Sequence, residues 1–211
     1  MIFYRPDGDP YTQPIEYLPK TCFLVTQLGK PGKEVIKIRH SLTQLLNQSG
    51  IEVIDAGSVV TGKDFLLKIW SLILAVPLGI AILSENMPTS TVSNIFYELG
   101  ALQAYGKETL VIKTEAATIP SDFVRTEYVK YGRGFKKNMN KFLKNFARTA
   151  EYYEKAAEQL QNNPLLSIDY LRRAYLISGN DALRAKAKQI IVSMVLDGRA
   201  KNSVEMLLAN F

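Results

Sequence analysis

The chain has 211 residues, 47% apolar and 22% charged, a composition that argues for a folded globular protein and against wholesale disorder. Cys22 is the only cysteine and His40 the only histidine, which excludes an intramolecular disulfide and a thiolate metal cluster. A zinc site or serine–histidine triad would find no partners around His40, so no metal is expected. The net charge of +6 is concentrated: between Arg125 and Arg148 eight Lys or Arg face Glu127 alone, and the remainder is nearly neutral.

The start carries no basic segment followed by an apolar run. The only long apolar stretch, 69–83, is shorter than the roughly 20 residues a bilayer needs and is split by Pro77 and Gly79. A cytoplasmic protein without a membrane segment is the expectation.

Residues 1–20 hold four of the nine prolines and read as an extended arm laid on the domain. A strand at 21–25 leads into the turn-rich loop 27–33, and Val35, Ile38, Leu42, Leu45 and Leu46 repeat at helical spacing until Gly50. A second strand covers 51–54, Asp64 caps a helix through Trp70 and Ile73, and 78–83 is a third strand, apolar on both faces. The polar stretch 84–93 precedes a helix through Phe96, Leu99 and Leu102, closed by Gly106. Strands at 109–112 and 127–131 follow.

This alternation predicts an α/β domain over 21–148, with a parallel sheet and helices on both faces. An α+β domain with a partly antiparallel sheet is the alternative. After Phe135 only helices are expected, near 135–161, 164–178, 181–196 and 201–209, so that 149–211 forms a C-terminal helical appendage. The spacing Ser167, Leu171, Ala174 and Gly179 is similar to half of a tetratricopeptide unit, and its apolar positions read as core.

Three ordered segments carry a family resemblance: the strand and loop at 21–33; Lys68-Ile69-Trp70 leading into Gly79-Ile80-Ala81-Ile82-Leu83-Ser84; and Ser93-Asn94-Ile95-Phe96-Tyr97-Glu98-Leu99-Gly100-Ala101 continuing to Gly106-Lys107 and a strand. Residues 20–146 thereby resemble the TIR-like nucleotide-binding proteins, which are flavodoxin-like in fold, and the nucleoside 2-deoxyribosyltransferases. The resemblance implies that Glu98 is the carboxylate that breaks an N-glycosidic bond. Ala81-Ile82-Leu83-Ser84 lacks the acidic residues of the transferases, and Thr26-Gln27-Leu28 lacks their early tyrosine motif. The NAD-cleaving or nucleotide-sensing TIR-like proteins are therefore the nearer analogues.

That reading expects a nucleotide N-glycosidase acting on NAD or a related dinucleotide, with no further cofactor, activated by homo-oligomerisation in signalling or defence. Its alternative is a non-catalytic nucleotide-sensing or assembly module. The nucleotide site is expected from Thr26, Gln27, Gly29, Lys30, Lys33, Ser84, Asn94 and Tyr97, where two loops emerge at the carboxyl ends of the strands and converge on Glu98. Lys30 and Lys33 would neutralise phosphate, although the loop is not a P-loop. Glu98, in the first turns of its helix, would be kept ionised by the macrodipole, and Asn94 would be a cap if not a ligand. The C-terminal helices are expected to meet a protein partner. The basic segment at 136–148 is expected as a solvated face, with nucleic acid as the lesser reading.

Overall fold

The computed structural model describes residues 8–9, 11, 15–58, 65–123, 127–160, 162–193 and 211. Two compact units emerge: Lys20–Asn145, and Phe146–Phe211 together with Met1–Pro19.

The first unit is built on five strands: β1 (Thr21–Val25), β2 (Glu52–Ile54), β3 (Leu78–Leu83), β4 (Glu108–Lys113) and β5 (Tyr128–Lys130). They lie in the order β2-β1-β3-β4-β5, every pair parallel. This is the expected α/β fold of the flavodoxin-like kind, and it excludes the partly antiparallel alternative. β1 and β3 are buried from end to end because helices cover both sheet faces, so their side chains alternate into two apolar layers.

Helix α1 (Lys33–Gln48) buries Val35, Ile38, Leu42, Leu45 and Leu46, the stripe its spacing predicts. Helix α2 (Phe65–Ala75) is the most apolar, burying Ile69, Trp70 and the run Leu72 to Ala75. The cap expected at Asp64 lies outside the described residues. Helix α3 (Thr89–Ala104) buries Ile95, Phe96, Leu99 and Leu102. A 3-10 turn (Ser121–Phe123) packs Phe123 on Phe96, with ring centroids 4.7 Å apart.

α3 departs from expectation. It starts at Thr89, inside the polar stretch expected as loop, with Pro88 at its N-cap. Proline suits a helix start because its φ is already helical and it has no N–H to leave unbonded.

Helix α4 (Phe135–Gln159) begins in the sheet unit and ends in the other. The second unit adds α5 (Pro164–Ser178) and α6 (Ala182–Ser193). The Asn163 side chain caps α5 by accepting from the Leu166 N–H at 3.2 Å, and Gly179 ends it at φ 66°. Ile168, Leu171, Ala174 and Leu176 pack with Leu183, Ala187 and Phe211. The helix expected at 201–209, and the end of the one expected to reach 196, lie outside the described residues.

The arm expected to lie on the α/β domain groups instead with these helices. Arg172, only 6% exposed, donates to the Tyr17 hydroxyl at 2.6 Å and lies over its ring. A buried guanidinium needs such partners, and the sequence-distant Tyr17 is one of them. Among the described residues no helix is long and apolar enough to cross a membrane.

Candidate functional site

Strand β1 connects toward one sheet edge and β3 toward the other, so the boundary between them is the topological switch point, where a parallel sheet opens a crevice at its carboxyl ends. The register pairs Val25 with Ala81 and Leu83 with Lys113. The residues that follow the strands therefore gather at the carboxyl end of the sheet: Ser84 after β3 is level with Thr114 after β4, and Thr26 after β1 is level with Ile82, two residues before Ser84. All three are buried. Thr26 Oγ1 is enclosed with no hydrogen-bond partner among the described residues. Thr114 Oγ1 donates to the Glu85 carboxylate, and that bond holds Glu85 below the usual carboxylate range. Thr26 and Ser84 were expected at this edge. Thr114 was missed, although it leaves β4 at the position Ser84 holds after β3.

The loop after β1 is internally braced. Gln27 Nε2 donates to the Lys30 carbonyl at 3.4 Å, and Gly29 holds φ at 82°, a left-handed conformation that suits glycine. Lys30 is exposed, as is Lys33, which opens α1. Asp55, at the end of β2, was also missed. Its buried carboxylate accepts from the Gly57 and Ser58 N–H groups, each at 2.8 Å, and pairs with Arg39. With those partners it serves to shape the turn. The turn sequence Asp55-Ala56-Gly57-Ser58 was the available signal.

Glu98 is not where the sequence placed it. It is the tenth residue of α3, about 13 Å along the axis from Thr89, well beyond the first-turn reach of the macrodipole. One turn further, Leu102 abuts Gly79 near the start of β3, so Glu98 lies level with the body of the sheet. The carboxyl is half-buried, and among the described residues no hydrogen bond or ion pair holds it. Desolvation alone pushes it up to about 7, opposite to the ionised carboxylate expected.

Tyr97, 52% exposed, meets Trp70 edge-on with centroids 6.2 Å apart, and Tyr105 meets the same indole at 5.9 Å. Trp70 Nε1 is buried without a partner among the described residues. Asn94 is exposed in the second turn of α3 and does not cap it. The candidate residues thus form two groups: Thr26, Ser84 and the 27–33 loop belong to the strand ends, while Asn94, Tyr97 and Glu98 run down α3. Among the described residues no three His, Cys, Asp or Glu side chains gather as a metal site. Burial pushes the Cys22 thiol up, which leaves it an inert core residue.

No protein-family model and no curated protein sequence matches the chain. One solved structure is similar to it, described as a 2-deoxyribosyltransferase from the psychrotolerant bacterium Bacillus psychrosaccharolyticus. It is 16% identical at a TM-score of 0.41, over 53% of this chain and 85% of that one.

Proposed function

We propose that the sheet unit breaks the N-glycosidic bond of a nucleoside or nucleotide, with Glu98 as the reacting carboxyl. The observation that carries this reading is a half-buried carboxyl with a pKa near 7 and no partner among the described residues. A carboxyl serving only structure is normally exposed or paired, since leaving it desolvated destabilises the fold. At neutral pH such a group divides about evenly between its two forms, where acid–base chemistry is most effective.

As the bond from the anomeric carbon to the base nitrogen breaks, its electron pair leaves with the base and positive charge grows on the sugar. The ionised carboxylate stabilises that charge or closes on the anomeric carbon as an ester, which water then hydrolyses. The protonated form can hand its proton to the departing base. Lys30 and Lys33 beside the switch point favour a phosphate-bearing substrate, and NAD or a related dinucleotide is the finer form of the proposal.

A second reading, a nucleotide-binding module without catalysis, is favoured by the depth of Glu98 along α3. Incubating the protein with NAD and a panel of nucleosides, and following base release, separates the two. Release that nearly vanishes in a folded Glu98→Gln variant supports the first, because the amide is nearly isosteric but neither titrates nor attacks. Activity within a few-fold of the parent removes Glu98 from the chemistry. Calorimetric binding without release identifies the binding module.

A further inference from the structure

The N-terminal half of α4 carries the chain's charge surplus on one face. Phe135, Met139, Phe142 and Leu143 are buried, while Lys136, Lys137, Lys141 and Lys144 are exposed. Among the described residues none of these four lysines has an ion-pair or hydrogen-bond partner. Lys137, Lys141 and Lys144 fall at i, i+4 and i+7, a single stripe about 10 Å long. Arg133 precedes the helix and is also exposed.

These charges do not serve the helix. Its first turn contains Lys136 and Lys137 and no acidic residue, so cations sit at the positive end of the macrodipole, where they destabilise. Like charges at i, i+4 destabilise further. Asn138 and Asn140 stand between the lysines and Asn145 follows them, all three exposed, adding neutral side chains rather than compensating carboxylates. An anionic partner would relieve the repulsion.

We infer that this face of α4 is a docking surface for the phosphate backbone of nucleic acid. Regularly spaced cations on a rigid helix match a regularly charged strand, whose phosphates come every 3.4 Å or so along the axis, about three steps per stripe. No aromatic residue is exposed between Lys136 and Lys144, so bases have nothing to stack on and recognition is through the backbone without sequence preference. No large apolar residue is exposed there either, as insertion into an anionic membrane would require. The surface is independent of the Glu98 chemistry and stands whether or not that chemistry holds.

The test uses the full chain with labelled mixed-sequence DNA and RNA duplexes of about 20 base pairs, titrated by anisotropy at several salt concentrations. Three phosphate contacts give a slope of about −2.7 in log affinity against log salt. Reversing Lys137, Lys141 and Lys144 to Glu should weaken binding about tenfold or more and flatten the slope. The same three changed to Arg should preserve it. Reversing Lys20, Lys37 and Lys188, all exposed and outside α4, alters net charge equally and should leave affinity within about threefold. Circular dichroism confirms that each variant is folded. Three results overturn the assignment: no binding to either duplex at low salt, equal losses from the two reversals, or binding to vesicles with anionic phospholipid but to neither duplex.

Discussion

Leu102 fills the space that Gly79 leaves by having no side chain. A Cβ on Gly79 would overlap Leu102 Cδ1 and stand 3.1 Å from both Cδ2 and Cγ, so turning the isobutyl group moves Cδ1 away but leaves Cγ in a tight contact that must still give. This contact lets α3 lie close on β3, and α3 carries Glu98. Gly79→Ala should therefore destabilise the sheet unit by about 1–3 kcal/mol through overpacking. In a thermal or urea melt, Leu102→Ala should cost less in the Gly79→Ala chain than in the parent, so that the two losses sum to less than their separate total. A Gly79→Ala protein as stable as the parent would mean the contact relaxes freely.

The protonation of Glu98 has a sign that stability measurements can read. Its folded-state pKa of about 7 lies above the usual 4.5, so the folded protein holds the proton more tightly than the unfolded chain. The contribution is fully present below the unfolded pKa and is lost as pH rises through the folded one. Glu98→Gln should match the parent at pH 4 and exceed it at pH 8 by at most about 3 kcal/mol. Equal denaturation midpoints at pH 8 would show that the carboxyl is solvated.

Lys30 closes the braced turn after β1, Lys33 follows it at the start of α1, and both are exposed. If this loop holds phosphate, replacing both with Ala should weaken a dinucleotide by about one to two decades. The corresponding free energy is about 1.5–3 kcal/mol for a charge-assisted contact. An uncharged nucleoside should hardly notice the change. Calorimetric titration of both ligands decides it, and equal losses would make the loop scaffold.

In the helical unit, burial pushes the Asp169 carboxyl up, but the Arg172 and Arg173 charges outweigh it and hold it below the usual range. Its stabilising contribution is thus present above the unfolded pKa and is lost as pH falls. Asp169→Ala would strip buried Arg172 of its carboxylate, at a cost of about 3–5 kcal/mol. Amides of α5 should then exchange faster with deuterium while those of β3 stay protected. Unchanged exchange in α5 would count against the pairing.

What the sequence determined by itself is the set of elements whose signals are local. β3 appears at its expected bounds because an unbroken apolar hexamer bounded by Pro77 and Ser84 fits only a strand covered on both faces. α5 runs from Pro164 to Ser178 because Asn163, Pro164 and Gly179 supply both ends of a helix within the chain segment itself. The parallel sheet follows from the alternation of such segments.

Tertiary structure decided what depends on distant neighbours. The stretch 84–93 is polar enough to read as loop, yet α3 starts at Thr89. Pro88 begins it, and Ile95, Phe96, Leu99 and Leu102 hold it against the sheet while the early Ser and Thr side chains remain near solvent. That shift of helix start moved Glu98 from a macrodipole position to a desolvated one, reversing the direction expected for its titration. Thr26, Ser84 and Thr114 share one edge only through strand register, which no single segment encodes. The grouping of the N-terminal segment with the helical tail depends in the same way on Tyr17 and Arg172, 155 residues apart in the chain. Caps and periodicity act within a few residues, whereas burial, register and the pairing of buried charge are set by whatever the fold brings alongside.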